Sequence, residues 1–139
     1  MDIRQIVDGF AAAPQLAPEE MAEAAAAGFR TILCNRPDGE QRGQPDAAEM
    51  EAAARAAGME FRYLPVFPGA FPDDLVAGMQ DALAECEAPI LAYCRSGTRS
   101  TMLWALAEAD KRPVAEIVEA GNRGGYDLQS LVPFLSARG

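Results

Sequence analysis

Ile90-Leu91-Ala92-Tyr93-Cys94-Arg95-Ser96-Gly97-Thr98-Arg99-Ser100 is the stretch on which the reading of this chain turns. Four apolar residues predict a short buried strand. Cys94 closes it, a tight polar loop follows, and Arg99 and Ser100 open a helix. Backbone N–H groups in such a loop and the positive end of the helix stabilise negative charge. That setting favours a thiolate nucleophile. A buried cysteine is usually just a small apolar residue, but the run from Cys94 to Ser100 is too polar for a core. It reads as an active-site loop.

The bulk composition frames this reading. At 139 residues the chain is long enough for one domain, 1–139, with a core of its own. The net charge of −9 argues against nucleic acid or an anionic membrane as partner, because no basic stripe exists to release counterions. It also makes the Arg95/Arg99 pair a local exception to the global sign, suited to a small anionic ligand. No apolar run is long enough to span a bilayer, and the first residues lack the regions of a signal peptide. Three widely spaced cysteines, Cys34, Cys86 and Cys94, are a poor disulfide framework and fit a cytoplasmic location. With no histidine and no Cys-x-x-Cys, neither a metal site nor a Cys-His dyad is expected. No cofactor is expected either. Activation of Cys94 has to come from the electrostatics of its own loop.

Outward from the loop, strand and helix signals alternate. One or two short strands are expected within 3–12, and a helix from Pro18 to Ala27, closed by Gly28. A strand over Phe29 to Cys34 follows, ending in the turn Asn35-Arg36-Pro37-Asp38-Gly39. Asp46 and Glu49 form a capping-box pattern for a helix to Ala57. Glu60 to Val66 reads as a strand, and Pro65 to Pro72 as a proline-rich loop. A helix begins near Asp73, with Leu75, Met79, Leu83 and Cys86 on one stripe. Further helices are expected over 100–109, 113–121 and 130–137. This order predicts an α/β domain with a mostly parallel sheet of four to five strands, flanked by helices on both faces.

In such sheets, sites form beyond the carboxyl ends of the strands, where Cys94 lies. Gly97 permits a tight turn that aims several N–H groups inward. Arg99 can fold back onto the same centre, and Ser100 or Thr98 can donate to the sulfur. Arg95, Ser96, Gly97 and Thr98 would line an anion seat. The turn with Arg36, Asp38 and Glu40 would rim the same pocket if its strand neighbours that of Cys94. In that arrangement Cys34 would approach Cys94 as a relay thiol, although a buried strand cysteine is the commoner outcome. Cys86 and Trp104 read as core.

The motif Cys94-Arg95-Ser96-Gly97-Thr98-Arg99-Ser100 resembles two loop types. Protein tyrosine phosphatases place five residues between cysteine and arginine, whereas rhodanese-type sulfurtransferases often place four, as here. Further segments resemble one bacterial family, the phosphatase-like domain of beta-lactamase-hydrolase-like proteins, also labelled a sulfur transferase family. They are Gly28-Phe29-Arg30-Thr31-Ile32, Asn35-Arg36-Pro37-Asp38-Gly39-Glu40, Gly43-Gln44-Pro45, Leu64-Pro65-Val66 and Leu103-Trp104-Ala105-Leu106. The resemblance implies a protein-tyrosine-phosphatase-like fold with the Cys94 strand central.

Three features lean the expected chemistry towards sulfur: the short loop, Tyr93 where phosphatases carry histidine, and no aspartate within Pro65 to Pro72. Asp73 and Asp74 come next, and first-turn helix acids are their simpler reading. The leading expectation is a sulfurtransferase that forms a Cys94 persulfide from a small anionic donor such as thiosulfate and passes it to a thiol acceptor or an oxidoreductase partner. The alternative is a phosphatase with a Cys94 phosphocysteine, in which Arg99 clamps the phosphoryl oxygens and Ser100 assists the thiolate. A third reading is a non-catalytic anion- or persulfide-sensing module.

Overall fold

The computed structural model describes residues 1–139. Strands β1 (Arg4–Val7), β2 (Phe10–Ala13), β3 (Thr31–Cys34), β4 (Glu60–Tyr63) and β5 (Ile90–Tyr93) form one sheet in the order β1-β2-β5-β3-β4. Only the β1/β2 hairpin is antiparallel. β5 is central, as expected. It is buried along its whole length because parallel neighbours and helices cover it on every side.

The register is flush. Ala13 pairs with Tyr93, Tyr93 with Cys34, and Cys34 with Tyr63. The four parallel strands therefore stop in one row. Hydrogen bonds run slightly beyond it: Asn35 N–H donates to the Tyr93 carbonyl (2.8 Å) and Leu64 N–H to that of Cys34 (2.9 Å). The expected strand over 29–34 and that over 60–66 are each shorter. The proline-rich segment cannot continue a ladder, because Pro65 has no N–H to donate.

Helices α1 (Met21–Ala26) and α2 (Ala47–Ala56) cover one face. α3 (Asp73–Glu85), α4 (Thr98–Glu108), α5 (Val114–Arg123) and α6 (Val132–Arg138) cover the other. A 3₁₀ turn at Pro18–Glu20 leads into α1, so the expected helix over 18–27 is α-helical only in part. Asp46 caps α2 by accepting from Glu49 N–H at 2.8 Å. The α3 N-cap is Pro72, and Asp73 and Asp74 fall in the first turn.

α4 starts two residues earlier than the apolar pattern indicates. It has no polar stripe because it is buried nearly all round: Ser100, Thr101, Leu103, Trp104, Ala105, Leu106 and Ala107 are all inaccessible to solvent or nearly so. Trp104 stacks on Phe10 at 5.8 Å, and Cys86 lies in the same core. No helix is long and apolar enough to cross a membrane.

Leu91 has no exposed surface on the central strand. Leu91→Ala is expected to cost about 3 kcal/mol in urea unfolding. Phe134→Ala on the half-open α6 surface, where the ring is 61% exposed, is expected to stay within about 0.5 kcal/mol.

Candidate active site

Cys94 follows β5 directly and is fully buried. Its N–H donates to the Ala13 carbonyl at 3.4 Å, and the next carbonyl, that of Arg95, accepts from Gln15 N–H at 3.3 Å. The chain then turns at Gly97, which has φ 95° and caps α4. Gly97 N–H donates to Cys94 Sγ at 3.1 Å. The amino end of α4 adds positive potential at the same place.

This donor is the one the sequence reading assigned to Ser100 or Thr98. The Thr98 hydroxyl instead accepts from Ser96 Oγ at 2.9 Å, because both side chains lie on the outer side of the turn. Ser100 Oγ is buried without a hydrogen-bond partner. A buried hydroxyl in that state is uncommon and marks a group with free donor capacity.

Tyr126, in the segment after α5, holds the loop from outside. Its hydroxyl donates to the Ser96 carbonyl at 3.0 Å, and burial pushes its pKa up, which keeps it a donor. A Cβ on Gly97 would collide with that hydroxyl. Gly97 is thus required twice, for its positive φ and for the approach of Tyr126. Sequence reasoning missed Tyr126 altogether. The only trace is the break at Gly124-Gly125 before it, which says nothing of a partner 30 residues away.

Arg99 lies in the first turn of α4. Its Nη1 donates to Glu40 Oε2 and its Nη2 to Glu40 Oε1, both at 2.8 Å, and Nη1 also donates to the Val66 carbonyl at 2.6 Å. A guanidinium has five N–H groups. Three are engaged, so the edge formed by Nε and the second Nη2 hydrogen remains free. Glu40 is also met by Arg36 Nε at 3.0 Å. The Arg99 hydrogen bond first, and the Arg36 one after it, hold the Glu40 carboxyl below its ordinary pKa against a desolvation effect in the other direction. Glu40 keeps the Arg99 charge in place against the cost of burial.

The turn after β3 does reach the site, through Glu40. Two of its residues correct the sequence reading. Arg36 is not at the rim: its side chain is 4% exposed, and it donates to Gln15 Oε1 (3.1 Å) and Gln41 Oε1 (3.3 Å) as well as to Glu40. A buried cation needs such partners. Asp38 does not face the loop: its Oδ1 accepts from Ala47 N–H at 2.8 Å, at the start of α2, and its own N–H donates to Tyr63 Oη at 3.0 Å. Both residues shape the turn that carries Glu40.

Cys34 sits at the end of the strand next to β5, as expected. Its thiol donates to the Arg36 carbonyl at 3.4 Å. It belongs to the core with Tyr93, and burial pushes its pKa up. Asp73 faces Arg138 at 3.5 Å, and Asp74 accepts from its own Leu75 N–H at 3.0 Å. Arg95 and Ser96 are exposed at the outer side of the loop.

Comparison with known proteins bears on this geometry. A family model described as "Beta-lactamase hydrolase-like protein, phosphatase-like domain" matches residues 2–111. A beta-lactamase hydrolase-like protein of Xylella fastidiosa (strain Temecula1) is 37% identical over 137 residues, which are 97% of this chain and 32% of that protein. This chain therefore spans about a third of the length of that curated relative. A solved structure from Neisseria meningitidis, described as a candidate phosphatase, is 32% identical with a TM-score of 0.87, covering 100% of this chain and 99% of that one. Tk-PTP in its active form shares the fold alone, at 16% identity and a TM-score of 0.69, covering 98% and 94% of the two chains.

Two measurements probe this arrangement. Gly97→Ala should cost more than about 1 kcal/mol in urea unfolding, and part of that penalty should vanish in a Tyr126→Ala background, where the collision is removed and only the backbone strain remains. The second concerns pH. A carboxylate with a depressed folded-state pKa stabilises the fold fully above its unfolded value, about 4.3 for glutamate, and that contribution is lost as pH falls through the folded value. The Tm of the native protein should therefore drop below that pH more steeply than the Tm of Glu40→Gln.

Proposed function

This chain belongs to the phosphatase-like domain family of beta-lactamase hydrolase-like proteins, and on that premise we propose that it hydrolyses phosphate monoesters through a phosphocysteine at Cys94. The observation that carries the reading is the free edge of Arg99. Glu40 takes the outer edge of the guanidinium, which leaves Nε–H and one Nη2–H in the fork that binds two phosphoryl oxygens side by side.

The Cys94 thiolate attacks phosphorus, and the bond to the ester oxygen breaks with its electron pair on the leaving group. The N–H groups of the loop and the Arg99 fork hold the equatorial oxygens, whose charge develops in the transition state. Water then attacks the phosphocysteine, the S–P bond breaks, and phosphate leaves. Sulfur departs as a thiolate, stabilised by Gly97 N–H. Glu40 is a positioning residue, and so is Tyr126.

Protonation of the leaving oxygen is the step for which this site is least equipped. Glu40 is held ionised between two guanidiniums, Asp73 is turned to Arg138, and Asp74 to its own helix. Substrates with stable leaving groups, such as aryl phosphates, are therefore favoured.

The expectation of sulfur transfer rested on the four-residue spacing, Tyr93 in place of a histidine and the missing acid. The family and the structural relatives support phosphoryl chemistry better, and sulfur transfer becomes the second outcome of a paired assay. The expected result is hydrolysis of p-nitrophenyl phosphate, a rate on substituted phenyl phosphates that falls steeply as the phenol becomes less acidic, and no transfer of sulfur from thiosulfate to cyanide. Cys94→Ser should lower hydrolysis by about a thousandfold or more. Thiocyanate formation without phosphate release would overturn the proposal. Tight orthophosphate binding without either turnover would favour the sensing module.

A further inference from the structure

The basic side chains of this acidic chain fall into two groups. Eight of the twelve Lys and Arg residues are in ion pairs: Arg4, Arg36, Arg55, Arg62, Arg99, Arg112, Arg123 and Arg138. Of the other four, Arg30 precedes β3 and Lys111 follows α4, both at the amino end of the sheet. Arg42 and Arg95 are on the loops that follow the carboxyl ends of β3 and β5, and both are exposed.

Arg95 directly follows the nucleophile, and Arg42 lies two residues beyond Glu40. Hydrogen bonds tie the two loops together. Gln15 N–H donates to the Arg95 carbonyl (3.3 Å), Arg36 donates to Gln15 Oε1 (3.1 Å), and Arg36 donates also to Gln41 Oε1 (3.3 Å), next to Arg42. The backbones that carry the two unpaired cations are thus held in a fixed relation through a buried arginine.

Charge sets what these cations can do. Arg36 and Arg99 together balance Glu40 and a Cys94 thiolate, leaving the floor of the site close to neutral. A phosphoryl group there relies on the Arg99 fork, the loop N–H groups and the amino end of α4. The two guanidiniums at the outer side of the site remain unneutralised, in a protein of net charge −9.

We propose that Arg95, with Arg42, forms a second anion subsite at the mouth of the Cys94 loop, and that the substrates are small molecules bearing a second phosphate group beside the one transferred. This rests on the phosphohydrolase reading for the group seated over Cys94. Arg95 offers the fork that suits a phosphate, and Arg42 strengthens the local potential. The class of reaction that supplies such a substrate is one that leaves two phosphates on one small molecule.

The test is calorimetric binding of orthophosphate and of diphosphate to the Cys94→Ser protein in metal-free buffer. Diphosphate should bind about tenfold more tightly, the size expected of one or two charge-assisted hydrogen bonds. Arg95→Gln in that background should remove most of the preference, and Arg42→Gln part of it, with orthophosphate affinity falling far less. Lys111→Gln, at the other end of the sheet, should leave the preference intact. Raising the salt concentration should erode it, because exposed charges are screened. Equal affinities for the two anions, or a preference that survives Arg95→Gln, overturns the subsite. Hydrolysis of p-nitrophenyl phosphate by the native protein judges the other reading separately. Hydrolysis without the diphosphate preference sinks the subsite alone, and the preference without hydrolysis upholds the subsite while the phosphohydrolase reading fails.

Discussion

Four parallel strands end in one row, and the site depends on that register. Ala13, Tyr93, Cys34 and Tyr63 are successive partners across β2, β5, β3 and β4. Whatever follows each strand must emerge at the same level, beyond the last ladder bonds, where backbone groups need new partners. Those partners are the other loops. Cys94 N–H turns to Ala13, Gln15 N–H to Arg95, Asn35 N–H to Tyr93 and Val66 N–H to Asn35. Moving one strand by a single residue would reverse every side chain on it.

On this platform, one carboxylate serves two guanidiniums. Arg36 is nearly sealed, so its charge is tolerable only with partners on several sides. Glu40 supplies the charged one and extends its other contacts to Arg99. The group that makes a buried cation acceptable is thus the same group that aims the arginine of the loop. In the proposed reading stability and function meet in Glu40, and the Val66 carbonyl completes the hold on Arg99 from the fourth strand's loop.

The loop itself is shaped before any ligand arrives. Gly97 turns the chain and lends its N–H to sulfur, the Ser96 and Thr98 hydroxyls hold each other, and Tyr126 anchors the outer carbonyl. Such preorganisation is what lets fixed dipoles stabilise developing charge without moving at the moment of reaction. Tyr126 lies beyond residues 2–111, the part matched by the family model, so the anchor comes from a part of the chain that the family match does not cover.

The sequence by itself determined the α/β alternation, the buried strand that leads into Cys94, and the polar, arginine-bearing loop after it, while the central place of that strand came from the family resemblance. These are local properties: short apolar runs, capping residues, a glycine at a turn, and arginines five residues or fewer from a cysteine. It also put the Arg36 turn near the site, but with the wrong residues facing inwards. Only the tertiary structure decided that Glu40 meets Arg99 across 59 positions, that Arg36 is buried, that Asp38 accepts from the first amide of α2, and that Tyr126 closes on Ser96. Each of these is a choice of partner between segments brought together by strand order. Strand order follows from the packing of the whole sheet, and no spacing within one segment encodes it.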